Sequence, residues 1–76
     1  MEINEFVLNL ANQFEDTDAS EITNKTAFKS LEEWSSLTAL TIIAMCDEVY
    51  SVKVTGDDIR NSETVEDLFE LIKSKK

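Results

Sequence analysis

The stretch Glu33-Trp34-Ser35-Ser36-Leu37 sets two serines side by side, directly ahead of the apolar run Leu37-Thr38-Ala39-Leu40-Thr41-Ile42-Ile43. A serine in that place starts a helix, because its side-chain oxygen accepts a hydrogen bond from a backbone N–H that has no partner inside the helix. The spacing predicts a helix over 36–50 with Ser35 as its N-cap. On a helical wheel, Ala39, Ile42, Ile43, Cys46, Val49 and Tyr50 fall together and make a core face. Leu37, Leu40 and Ala44 fall on the opposite side around Thr41, with Asp47 and Glu48 a turn further on. The outward face is thus an apolar strip ending in negative charge, the pattern of a contact surface. Single exposed apolar residues are nevertheless common, and the preceding loop could fold over Leu37 and Leu40 instead. Ser36 stands in the first turn beside this strip, where unpaired N–H groups and the helix dipole favour a negative group on its hydroxyl.

The chain on either side reads as a frame for that helix. Ile3, Phe6, Val7, Leu10 and Phe14 lie on one arc at 100° per residue, which predicts an amphipathic helix from Ile3 to Phe14. From Glu15 to about Trp34 the periodicity lapses into Asp, Thr, Ser and Asn, a long loop anchored by Ile22, Phe28, Leu31 and Trp34. After the central helix, Ser51-Val52-Lys53-Val54 alternates like a strand that has no partner, and so reads as an extended connector. Thr55 with Asp58, and Thr64 with Asp67, have the spacing of capping boxes that use aspartate. The first opens a single turn around residues 57–60 that tucks Ile59 inward. The second opens a last helix with Val65, Leu68, Phe69 and Ile72 on one face and Lys73, Lys75 and Lys76 at its negative end. The expectation is an all-α fold in one domain, 1–76: a small four-helix bundle of three main helices and one short one, with a long first loop.

Composition narrows the function. The 76 residues contain no histidine and one cysteine, Cys46, so an internal disulfide, a histidine-based zinc site and a neutral-pH imidazole base are all ruled out. Sixteen acidic residues against seven basic ones give a formal charge of -9, which repels phosphate backbones and anionic lipid. Nucleic acid and membrane are therefore not expected partners, whereas proteins with basic patches are. No signal-peptide pattern or apolar run of membrane-spanning length is present, and a cytoplasmic location is expected. Asp16-Thr17-Asp18-Ala19-Ser20 begins like a calcium loop, but Glu21 stands where the turn glycine belongs and Ala27 where the bidentate glutamate belongs, so no metal is expected. Asn24-Lys25-Thr26 fits a glycosylation sequon with no use in a cytosolic chain. Cys46, in the middle of the core face, reads as a small buried apolar residue.

Taken together, the amphipathic first helix, the loop with Thr26-Ala27-Phe28, the Ser36-Leu37 step into an apolar helix and the Thr64-Val65 start of the last helix resemble the acyl and peptidyl carrier proteins. The resemblance covers nearly the whole chain. It implies a bundle of acyl-carrier-protein type, with a 4'-phosphopantetheine arm from coenzyme A carried covalently on Ser36. The family's attachment motif is Asp-Ser-Leu, and here Ser35 replaces the aspartate. Capping survives that change, since serine and aspartate are nearly equal N-caps, but a charge that helps the modifying transferase recognise its substrate is lost. Many carriers of fatty acid synthesis also place acids just after the serine, where this chain has Thr38 and Thr41, so its face resembles that of a specialised carrier. Trp34 fits that comparison and equally fits a loop anchor.

The resemblance implies a protein that catalyses nothing itself. It would hold acyl or aminoacyl groups as thioesters and serve a phosphopantetheinyl transferase, a loading ligase and downstream synthase enzymes with basic docking patches. The expected partner-binding residues are Leu37, Leu40, Ala44, Asp47, Glu48, Asp57 and Asp58, on a monomer. Two alternatives stand beside this one: a carrier-fold interaction module that is never modified, and an enzyme, for which so small a core leaves little room for a pocket.

Overall fold

The computed structural model describes residues 2–15 and 17–76, so Asp16, the start of the calcium-loop-like stretch, lies outside the described residues. Four helices follow in order: α1 (Ile3–Ala11), α2 (Ser36–Tyr50), α3 (Gly56–Asn61) and α4 (Val65–Lys75). No strand occurs among the described residues. α1 packs on both α2 and α4, and α3 packs on α4. The centre of the core is the Phe6 ring, which meets Tyr50 at 5.8 Å and Phe69 at 5.6 Å between ring centroids, so one aromatic ties together three helices.

α1 is shorter than its apolar spacing predicts. It ends at Ala11, and Gln13 and Phe14 then bond back three residues, to the carbonyls of Leu10 and Ala11, in a tighter turn that still buries Phe14. The apolar arc therefore outlasts the helix. Phe14 packs under the loop beside Trp34, at 6.4 Å between centroids, and Trp34 meets the buried Phe28 edge-on at 5.4 Å. The long loop is held down by these contacts together with buried Ile22 and partly buried Leu31. It also contains two short 3₁₀ turns, Ala19–Glu21 and Phe28–Ser30.

The loop also completes the rest of the fold. The carbonyls of Asn24 and Thr26 accept the first N–H groups of α4, from Glu66 at 2.8 Å and Val65 at 3.1 Å. The Lys29 ammonium donates to the carbonyl of Arg60 at the end of α3, at 2.6 Å. Both predicted capping boxes are present. Thr55 accepts from the N–H of Asp58 while Asp58 accepts from that of Thr55, and Thr64 and Asp67 do the same. These backbone donors hold the carboxyls of Asp58 and Asp67 below the ordinary aspartate range, Asp58 with further help from Lys75. Lys75 closes the far end, bonding Asp58 at 3.0 Å and the carbonyl of Lys53 at 3.1 Å. That carbonyl belongs to the extended connector 51–55, which buries Val52 and Val54 as its alternation predicts.

The core face of α2 needs a correction. The wheel assigns it Ala39, Ile42, Ile43, Cys46, Val49 and Tyr50, but Val49 is 50% exposed and Ile43 only partly buried. Thr38, expected outside, is 8% exposed, and Met45 is buried with Ile42, Cys46 and Tyr50. A wheel ranks side chains by their own apolarity; burial depends on what stands opposite. The Thr38 hydroxyl donates to the carbonyl of Glu33 at 3.4 Å and shares a hydrogen bond with the Ser35 hydroxyl at 3.2 Å, so a polar residue sits comfortably inside. Val49 stands at the edge of the seam between α1 and α2, where α1 leaves it half covered.

Candidate functional site

The site is built on the first turn of α2. Ser35 is its N-cap, with its Oγ accepting the N–H of Thr38 at 3.3 Å and sharing a hydrogen bond with the Thr38 hydroxyl. The carbonyl of Ser35 takes the N–H of Ala39 at 3.1 Å. Ser35 is thereby committed to starting the helix. Ser36, one residue on, is exposed, and its hydroxyl makes no hydrogen bond among the described residues. The N–H groups of Ser36 and Leu37 likewise find no backbone acceptor there. An exposed hydroxyl therefore sits beside two open donors at the positive end of a 15-residue helix.

The strip behind it is open as expected. Leu37 is 71% and Leu40 61% exposed, Ala44 is exposed, and the loop does not fold over them. Asp47 and Glu48 are exposed on the next turns, Asp47 only 3.9 Å from a largely solvated Lys53, a weak surface pair. Asp57 and Asp58 belong to a different element, the start of α3, and both are engaged there. Asp57 pairs with Arg60, while Asp58 is shared between the Thr55 cap and Lys75. Of the expected partner-binding residues, Leu37, Leu40, Ala44, Asp47 and Glu48 lie along the exposed face of α2, Asp57 is exposed on α3, and Asp58 ties the start of α3 to Thr55 and Lys75.

The acids ahead of the serines are not equivalent to an aspartate at position 35. The Glu33 carboxylate accepts the N–H of Glu15 at 2.6 Å and the hydroxyl of Thr17 at 2.8 Å, which pins the loop to the foot of α2. A hollow of about 530 Å³ beside it is lined by Thr17, Glu21, Leu31, Glu32 and Glu33, but no group of three or more His, Cys, Asp or Glu among the described residues is placed to hold a metal ion. Cys46 is buried and unpaired, and burial pushes its thiol up to about 11, so it stays protonated and unreactive near neutrality. Among the described residues, no helix is long and apolar enough to cross a membrane.

The sequence reading missed what flanks the strip. Asn9, Asn12 and Gln13 of α1 and the turn after it form a polar wall facing Thr41, Ala44 and Glu48 of α2. Their spacing marks them only as the polar side of α1, and nothing in it says which neighbour that side meets. No family model, curated protein or solved structure matches the chain.

Proposed function

We propose that this chain is a carrier protein of the acyl and peptidyl carrier type, with Ser36 as the attachment residue for a 4'-phosphopantetheine arm. The observation that carries the reading is the division of labour between neighbouring serines: Ser35 is used up as the cap, and Ser36 keeps a free, exposed hydroxyl at the helix start. The surroundings fit a phosphodiester, since the open N–H groups of Ser36 and Leu37 and the helix dipole all favour negative charge at that point. In the loading step Ser36 Oγ forms a bond to phosphorus, the pyrophosphate bond of coenzyme A breaks, adenosine 3',5'-bisphosphate leaves, and the serine proton passes to a base on the transferase. The bound group supplies a thiol on which acyl or aminoacyl cargo is held as a thioester.

The chain's own residues then present that thiol. Leu37, Leu40 and Ala44 offer an apolar contact to a partner enzyme, and Asp47 and Glu48 offer charge to a basic rim around it. Catalysis belongs to the partners, and the carrier itself acts as a cytoplasmic monomer. Ser35 in place of aspartate favours one second reading, an interaction module that uses the same strip without an arm. Incubation with coenzyme A, magnesium and a broad-specificity phosphopantetheinyl transferase separates the two. A carrier gains the mass of one phosphopantetheine; an unmodified module gains nothing with any of several transferases.

A further inference from the structure

Ser35, Thr38 and Thr41 follow one another at intervals of three along the start of α2, and at these positions the chain departs from the carriers it resembles. The structure joins them. Thr41 donates its hydroxyl to the carbonyl of Thr38 at 2.8 Å, and the Thr38 hydroxyl reaches the Ser35 hydroxyl at 3.2 Å and the carbonyl of Glu33 at 3.4 Å. Thr38 is buried, so its hydroxyl is a contact inside the fold and not part of the strip offered to a partner.

Counting protons gives these bonds a direction. A hydroxyl has one proton to donate and two lone pairs. The Glu33 carbonyl can only accept, so the Thr38 proton goes there, and the Ser35 hydroxyl is the donor in its bond to Thr38. Ser35 Oγ meanwhile accepts the N–H of Thr38 at 3.3 Å, which makes the link between the two residues reciprocal. An ionised aspartate at position 35 could accept that N–H, but it has no proton to give Thr38. It would draw the Thr38 proton to itself and release the carbonyl of Glu33. The serine cap and Thr38 are matched to each other.

Glu33 is the far end of the link. Its carboxylate accepts the N–H of Glu15 at 2.6 Å and the hydroxyl of Thr17 at 2.8 Å, just beyond α1. The Thr38 hydroxyl thus rivets the first turn of α2 to a segment that is itself tied to the turn after α1. Ser36 lies within the riveted turn, and its own hydroxyl makes no hydrogen bond among the described residues, so the backbone alone sets where its Oγ stands.

We propose that Thr38 is a positioning residue for the modification of Ser36, an inference that rests on Ser36 being the attachment residue. By holding the 33–35 turn from inside, it keeps the exposed Ser36 hydroxyl in the place from which it attacks the phosphorus of coenzyme A.

The test measures the rate of loading by a phosphopantetheinyl transferase, with coenzyme A and a range of carrier concentrations, for the parent, Thr38→Val and Thr38→Ser, with amide exchange followed on each protein. Thr38→Val keeps the shape and removes the hydroxyl. It lowers kcat by about fivefold, the worth of roughly one hydrogen bond, and leaves KM in place because the docking strip is untouched. Thr38→Ser, which keeps the hydroxyl, restores kcat. In Thr38→Val the Glu15 amide also exchanges faster, while those of Asp58 and Asp67, at the caps of α3 and α4, keep their parent rates and show the fold intact. A parent kcat in Thr38→Val, a loss that Thr38→Ser does not restore, or an unchanged rate at Glu15 overturns the positioning role and leaves the carrier reading standing. A parent protein that gains no mass with any of several transferases overturns both.

Discussion

The two longest helices start in opposite ways. At α4 all four N–H groups of the first turn are taken: Val65 by the carbonyl of Thr26, Glu66 by that of Asn24, Asp67 by the Thr64 hydroxyl and Leu68 by the Thr64 carbonyl. At α2, among the described residues, only the third and fourth are taken, both by Ser35, and those of Ser36 and Leu37 stay open beside the Ser36 hydroxyl. The loop that could have covered the start of α2 is turned away by Glu33, Trp34 and Phe28, and spends its carbonyls on α4 instead. A helix end finished by its own fold serves stability. An end left unfinished, with Leu37 and Leu40 exposed next to it, is free to meet something else.

Perturbing the finished end should cost most. Phe28→Ala removes a fully buried anchor of the segment that brings Asn24 and Thr26 to α4, and should destabilise the protein by about 3–5 kcal/mol in denaturant titrations. A loss under about 1 kcal/mol would mean that the loop is not part of the core. Thr64→Ala should cost about 1 kcal/mol. Ser35→Ala should cost less, toward about 0.5 kcal/mol, because its capping bond is long at 3.3 Å. If the two caps were reversed in size, the start of α2 would be the better finished of the pair.

Acid sharpens the same contrast. Asp67 accepts from the N–H groups of Glu63 and Thr64, which lower its carboxyl, and a carboxyl lowered by folding stabilises the native state at any pH above its unfolded value of about 3.9. That contribution is lost as pH falls through the lower, folded value. Amide exchange at Glu63 and Thr64, corrected for intrinsic rates, should therefore speed up below about pH 4, and exchange at Thr38, capped by a serine hydroxyl, should show no such step. A matching step at Thr38 would contradict the assignment of its cap. The smallest effect expected is on the stability of Ser36→Ala, within about 0.5 kcal/mol of the parent, since the hydroxyl it removes bonds nothing among the described residues.

The helix limits of α2 and the two threonine capping boxes were legible in the sequence because each is a local pattern: a cap, a spacing of three and an apolar period. The period also put Leu37 and Leu40 on the outward face, but whether the loop covered them stayed open until the structure showed them exposed. What local patterns cannot carry is the identity of the neighbour. Val49 and Thr38 exchange their expected places because Val49 stands at the edge of the seam between α1 and α2 and the turn before α2 gives the Thr38 hydroxyl partners in Glu33 and Ser35. The closing of α4 by Asn24 and Thr26 is a backbone pairing across some forty residues, and the side-chain bond beside it, from Asn24 Nδ2 to the Glu66 carboxylate, belongs to no local pattern. The carboxamide wall of Asn9, Asn12 and Gln13 acquires meaning only once α1 lies against α2.

The distinction between Ser35 as cap and Ser36 as open hydroxyl is tested most directly by loading the parent, Ser35→Ala and Ser36→Ala proteins with coenzyme A and a phosphopantetheinyl transferase and weighing each intact. The account predicts one added phosphopantetheine on the parent and on Ser35→Ala, and none on Ser36→Ala. Loading that survives in Ser36→Ala, or that disappears only in Ser35→Ala, would contradict it.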